Sequence, residues 1–302
     1  MSPFPQHYLS FSPQIPPLVG QSRLGAIPTT GPHEVATRTE FVTYPSPIPS
    51  MATADDGTRE LPVGIWEPGD TEPIGPLVVF SHGANGTMYN NESLFRELAS
   101  HGYRVASVAH SKHTMFTRLS DGTIVTPRQA VPGRALDIQK SDDIQMSVDL
   151  QKDWIELRLA DLDAVLDQLP HDEVVAMGHS LGGASALALG RERDDVVDVV
   201  ALECITVAGE GEGPYPVPIL YFYSDVAKDM LEGPAHTEVA LPDGPGDRVV
   251  YLPGSGHLGM TDLGRVTPIV TNLLDRGLDT TDSEVTLGAV NEEVLAFLDQ
   301  LQ

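Results

Sequence analysis

Glu173-Val174-Val175-Ala176-Met177-Gly178-His179-Ser180-Leu181-Gly182-Gly183-Ala184-Ser185-Ala186-Leu187-Ala188-Leu189 reads as a strand, a sharp turn and a helix. Its first five residues are a short apolar run of strand type. From Gly183 onward the residues are small and helix-favouring. Between the two, Gly178-His179-Ser180-Leu181-Gly182 puts a serine between glycines. A serine at the top of a strand sits in strained backbone, so its neighbours must be small enough for the chain to turn beneath it. The helix that follows aims free N–H groups and a positive dipole end at whatever charge develops there. Ser180 is the expected nucleophile.

Outward from this stretch, strands and helices alternate. Pro76-Leu77-Val78-Val79-Phe80, Tyr103–Ala109, Val196–Leu202, Pro218–Tyr223 and Arg248–Leu252 are strand-like runs, several apolar on both faces as buried parallel strands are. Asn91–His101 reads as a helix. Ser147–Leu169 reads as a long amphipathic helix, stopped by Pro170, whose leucine stripe belongs to the core. Two more helices are expected near Thr267–Arg276 and Glu292–Leu301. Thr37–Thr43 and Arg59–Trp66, with the Asp55-Asp56-Gly57 turn ahead of the second, alternate in polarity as an antiparallel edge does. The pattern predicts an α/β chain: a mostly parallel central sheet with an antiparallel N-terminal edge and helices on both faces.

Residues 1–35 are rich in proline and lack alternation, so they read as an extended arm; residues 36–302 read as a single domain. Within it, residues 111–146 lose periodicity and form an insertion expected near the substrate mouth, with a hairpin about Asp121-Gly122.

The 302 residues carry 43 acidic and 18 basic side chains, a formal net charge of −25. The lysines are Lys112, Lys140, Lys152 and Lys228. Such a surface repels nucleic acid and anionic bilayers. It fits either a salt-adapted, halophilic chain or a plainly acidic one. No stretch approaches the roughly 18–20 apolar residues of a membrane helix. No secretory signal is visible, which sets a cytoplasmic expectation. A lone cysteine, Cys204, excludes an internal disulfide. His110 and His113 lack a third ligand at metal-binding spacing and read as surface histidines, as do His171 and His236. Neither a cofactor nor a metal is expected, and the expected partner is a small-molecule ester.

Strand, Gly-x-Ser-x-Gly turn and helix together make the nucleophile elbow of the α/β-hydrolase fold. In open parallel sheets ligands bind beyond the carboxyl ends of the strands, where the loops bearing Ala84, Ser180, Glu203, Asp225 and His257 fall. The fold's chain order is serine, acid, histidine. His257 follows the last strand among glycines and is the expected general base. Ser81-His82-Gly83-Ala84-Asn85-Gly86 is a glycine-rich turn, where Ala84 N–H is one expected oxyanion donor and Leu181 N–H the other; His82 reads as a brace for the turn. Glu203 and Asp225 each end an apolar strand, and position alone leaves the acid open between them.

Leu77-Val78-Val79-Phe80-Ser81-His82-Gly83, Leu98-Ala99-Ser100-His101-Gly102, Gly178–Ala184, Ala201-Leu202-Glu203 and Gly254-Ser255-Gly256-His257 resemble the plasma-type platelet-activating-factor acetylhydrolase family of serine esterases. The resemblance covers about half the chain. It implies the acid at Glu203, where the family has Asp and this chain is one methylene longer. The more widespread hydrolase arrangement would instead use Asp225. It also implies oxyanion donors at Ala84 and Leu181, and short-chain acyl esters, lipid esters among them, as substrates. Dienelactone-hydrolase-like, polyester-hydrolase or acyltransferase activity on the same triad is the alternative. A non-catalytic binding protein on this fold is the reading from another class.

Overall fold

The structure, a computed structural model, describes residues 27–127, 144–204, 214–232, 241–275 and 277–301. Most of the proline-rich arm, residues 128–143 of the expected insertion and His236 lie outside the described residues.

In chain order the elements are β1 (Val35–Pro45), β2 (Thr58–Pro68), β3 (Leu77–Ser81), α1 (Glu92–Ser100), β4 (Val105–Val108), β5 (Thr117–Arg118), β6 (Ile124–Val125), α2 (Ile144–Leu166) and β7 (Val174–His179). Then come α3 (Leu181–Glu192), β8 (Val196–Leu202), β9 (Ile219–Ser224), α4 (Asp225–Glu232), β10 (Arg248–Leu252), α5 (Leu263–Val266), α6 (Pro268–Leu274) and α7 (Ser283–Leu298). Eight strands form one sheet in the order β1-β2-β4-β3-β7-β8-β9-β10. β2 is antiparallel to both of its neighbours, β1 and β4; every other pairing is parallel. The mostly parallel sheet with an antiparallel N-terminal edge is the one the sequence predicts.

Alternation along each strand sorts side chains between the two faces. In β3, Val78 and Phe80 pack with Leu94, Phe95 and Leu98 of α1 and with Val290, Val294 and Phe297 of α7. Leu77 and Val79 point the other way, into a second core built from Leu162, Val165 and Leu166 of α2 and Ala186, Leu187 and Leu189 of α3. Burying each such leucine or phenylalanine stabilises the fold by about 1.5–3 kcal/mol. Only a two-faced strand satisfies both layers, which is why these runs are apolar throughout.

The register brings the strand ends into line. Ser81 sits opposite Gly178, His179 opposite Leu202, Leu202 opposite Phe222, and Ser224 opposite Leu252. The residues just beyond β3, β7, β8, β9 and β10 therefore share one rim of the sheet.

Several expectations are corrected. His110 and His113 are buried, and the His171 side chain is only 11% exposed beside Asp195, so none is a free surface histidine. The last helix begins at Ser283, well before Glu292: the Asp282 side chain accepts from Glu284 N–H at 2.8 Å and caps it. Gly288 and Thr286 interrupt the apolar pattern there, yet Leu287 and Val290 are buried on one face. α4, directly after β9, has no counterpart in the sequence reading. The β5–β6 hairpin does form around Asp121-Gly122, with Gly122 at φ 88°.

Candidate active site

Ser180 lies between the end of β7 and the start of α3 with φ 56° and ψ −122°, a backbone that residues with a side chain rarely adopt. The flanking glycines make this turn sterically feasible. A β carbon on Gly178 would come 2.2 Å from the Gly182 carbonyl oxygen, and one on Gly182 would come 1.9 Å from the Ser81 carbonyl oxygen. Ser180 N–H donates to Leu202 O at 2.9 Å, tying the turn to the end of β8. The serine is 1% exposed, and its hydroxyl has no hydrogen-bond partner among the described residues. Leu181 opens α3, where N–H groups have no acceptor within the helix.

Glu203 and His257 come to this rim from the ends of β8 and β10. Glu203 also has a positive φ, 43°, and is buried. Its Oε1 lies 3.3 Å from His257 Nδ1, and its Oε2 accepts Ser224 N–H at 3.0 Å. Burial acts on both partners. It pulls the His257 imidazole down to about 3. It pushes the Glu203 carboxyl up to about 8; the Ser224 N–H opposes that rise and the charges of Asp275 and Asp225 add to it.

Asp225, the alternative acid, is turned to other partners: it accepts from the Tyr251 hydroxyl and, at 3.0 Å, from Gly254 N–H. Two more carboxylates hold the same loop. Asp279 accepts Gly256 N–H at 3.1 Å, and Asp275 accepts Leu258 N–H at 2.9 Å. His179, the variable residue before the serine, donates from Nε2 to His257 O at 3.0 Å and packs its ring 4.6 Å from the His257 ring. Burial lowers the His179 pKa to about 4, which keeps that ring neutral. The sequence reading assigned no role to Asp275, Asp279 or His179, because their partners are backbone groups with no sequence signature.

The turn after β3 supplies the third side of the rim. His82 is buried, and its Nδ1 lies 2.7 Å from Gly83 O, the bracing contact expected of it. Gly83 O also accepts Gly86 N–H at 3.0 Å. Gly83 packs against the serine: a β carbon there would stand 3.4 Å from Ser180 Cβ. Among the described residues, no acceptor engages the N–H of Ala84.

A second serine, histidine and acid meet behind this turn. Ser81 Oγ lies 2.9 Å from His110 Nε2, and His110 Nδ1 lies 2.9 Å from Asp161 Oδ2. Asp161 also receives Arg59 Nε and Nη2 at 2.6 and 2.8 Å and the Tyr44 hydroxyl at 2.6 Å. Burial alone would raise the Asp161 pKa, but the Arg59 guanidinium wins and holds the carboxyl well below the usual range. Burial lowers His110 to about 4.

Among the described residues, no group of His, Cys, Asp and Glu is arranged to hold a metal ion, and no helix is long and apolar enough to cross a membrane. A cavity of about 380 Å³ opens beyond the turn, lined in part by Phe41, Met88, Tyr89, Phe116 and Arg118.

Comparison with known proteins agrees with this architecture. The chain is 23% identical over 251 residues to platelet-activating factor acetylhydrolase of Bos taurus, covering 74% of this chain and 56% of that protein. The Cavia porcellus protein of the same name is 21% identical over 267 residues, covering 80% and 61%. The chain thus spans less than two thirds of the length of these relatives. Among solved structures, the ferulic acid esterase from Streptomyces cinnamoneus superposes with a TM-score of 0.65 at 20% identity, covering 90% of this chain and 91% of that one, a likeness of fold. Residues 78–245, from β3 to just before β10, match the model of the alpha/beta hydrolase family, and with the sheet order and the elbow already described, the chain belongs to that family.

Proposed function

We propose that this chain is a serine ester hydrolase acting on short-chain acyl esters through Ser180, His257 and Glu203. The observation that carries the reading is the Ser180 turn: a buried, strained serine whose hydroxyl is unengaged among the described residues, beside a loop whose histidine lies 3.3 Å from a buried carboxyl. Ser180 attacks the ester carbonyl while His257 takes its proton, then returns it to the leaving alcohol. Glu203 holds the imidazole in the tautomer that presents Nε2 to the serine and stabilises the imidazolium that forms. The N–H groups of Ala84 and Leu181 receive the oxyanion. Water, activated by His257, then clears the acyl-enzyme. In this reading residues 36–302 act as one domain, and the described part of the 111–146 insertion, residues 111–127, shapes the mouth.

The acetylhydrolase name of the mammalian relatives points to a small acyl group, and the resemblance in the elbow and histidine loop points the same way. A series of p-nitrophenyl esters from acetate to laurate tests this. The expected kcat/KM is highest for acetate or butyrate and falls with chain length. A rate that climbs toward laurate would remove the short-chain assignment. The rival activity on this triad is acyl transfer. Adding an alcohol acceptor during turnover separates the two, since a hydrolase continues to release free acid.

A further inference from the structure

We infer that Arg158 is a positioning residue for the oxyanion site: its buried guanidinium fixes the Gly83–Ala84 peptide so that the Ala84 N–H faces Ser180. This rests on the proposed use of Ser180 and Ala84.

Arg158 lies on α2 and is fully buried. Its Nη1 donates to His82 O and, at 3.1 Å, to Ser81 Oγ, and its Nη2 donates to Gly83 O at 3.3 Å. The guanidinium thus grips three consecutive residues of the turn. In a trans peptide the C=O and the following N–H point in opposite directions. Gly83 O is drawn inward by Arg158, His82 Nδ1 and Gly86 N–H together. The N–H on the other side of that peptide is Ala84's, which is directed away from the buried cluster. Gly83 lies against the elbow: a β carbon there would stand 2.9 Å from His179 Nδ1 and 3.4 Å from Ser180 Cβ, which puts this peptide beside the serine.

The charge adds to the orientation. Among the described residues no carboxylate forms an ion pair with Arg158; Asp161 is engaged by Arg59, Tyr44 and His110. Burial lowers Arg158 to about 9, which leaves it a cation at neutral pH. The neighbouring His82, His110 and His113 are all held neutral, chiefly by burial. Two guanidiniums against one carboxylate leave this cluster with one positive charge in excess, aimed through the peptide at the place where the oxyanion forms. A buried excess cation destabilises a fold. Its field on a developing negative charge is a functional reason to keep it.

The full chain carrying Arg158→Met and Arg158→Lys tests this, with kcat and KM for p-nitrophenyl acetate and the inhibition constant of a small trifluoromethyl ketone, whose serine adduct carries the oxyanion. Misplacing one donor should lower kcat about 10- to 100-fold in Arg158→Met with KM within about threefold. The ketone should weaken by the same factor as kcat. Arg158→Lys, which keeps the charge but reaches fewer acceptors, should recover part of both. An unchanged kcat, or a lower kcat with undiminished ketone affinity, would overturn the inference. If the Met variant does not fold, the same proportionality in the Lys variant decides. Ser180→Ala, measured in parallel, keeps the two readings apart: activity retained there removes the proposed site itself, whereas a dead Ser180→Ala beside an unaffected Arg158→Met removes only the role of Arg158.

Discussion

Two serine–histidine–acid sets lie on either side of one turn, and the proposed function uses the one with the longer contacts. Ser81, His110 and Asp161 are linked by contacts of 2.9 Å throughout. All three are fully buried, and Asp161 is committed to Arg59. Ser81 ends a regular strand, and its oxygen accepts a hydrogen bond from the Arg158 cation, which occupies one of its two lone pairs and draws electron density from the oxygen. In the other set Glu203 and His257 are 3.3 Å apart, the serine hydroxyl is unengaged among the described residues, and its backbone is strained. Catalytic contacts often tighten only when substrate arrives. In the proposed reading, contact lengths alone would therefore rank the two sets in the wrong order. Backbone strain, an unengaged hydroxyl and N–H groups without acceptors are the features that separate a reactive serine from a structural one.

The sharpest way to break this comparison is to remove each serine. Ser180→Ala should lower the turnover of p-nitrophenyl acetate by about 10⁴- to 10⁶-fold, the scale seen when a triad nucleophile is deleted. Ser81→Ala should keep most of the rate. The opposite pattern in initial rates would make the buried set the active one.

Removing the acids separates the two sets by different observables. Glu203→Gln should lower kcat by about 10²- to 10⁴-fold, since the imidazole loses the carboxylate that orients it. Asp225→Asn, which alters contacts to Tyr251 and Gly254 and removes one like charge near Glu203 without touching His257 Nδ1, should have a weak effect on kcat. Asp161→Asn should act on folding, because it leaves the Arg59 cation buried without its counter-charge, at a cost of about 3–5 kcal/mol. Urea unfolding measures that cost. A stable Asp161→Asn chain that had lost its activity would tie the buried set to the chemistry.

How much of this was legible before the structure follows from the range of the interactions. The elbow and the buried strands are local patterns: glycines beside a serine, apolar runs of strand length. These fixed the sheet, its antiparallel edge and the rim. His110 was misread as a surface residue because the partner that buries it, Asp161, is 51 positions away. Arg59 meets the same carboxylate across 102 positions. Neither pairing leaves a trace in spacing. The Asp275 and Asp279 contacts to the histidine loop were invisible for a second reason, since a backbone N–H carries no sequence identity. The choice between Glu203 and Asp225 was near parity by position and turns on which side chain reaches His257 Nδ1, a matter of strand register and of the positive φ at Glu203.

Acidity should move the two sets in opposite ways, which gives the finest distinction. Asp161 is held below its unfolded value, so the native state binds fewer protons there than the unfolded chain does. Its contribution is present above about pH 4 and is lost only as pH falls toward the lowered value. Glu203, pushed up to about 8, has the reverse sign: the native state binds the extra proton, and stability falls as pH rises from about 4.5 through 8. Asp275, raised to about 7, adds to the same slope. Activity should run against stability, because the ionised Glu203 is the form that orients His257. The rising limb of kcat/KM should therefore lie above pH 6.5, set by the carboxyl, with the histidine already neutral. Asp275→Asn, which removes a like charge, should move that limb to lower pH and flatten the stability slope. A limb centred near 6.5 and unmoved by Asp275→Asn would mean that the histidine titrates in an ordinary environment, and that burial does not govern the rim as it governs the cluster behind it.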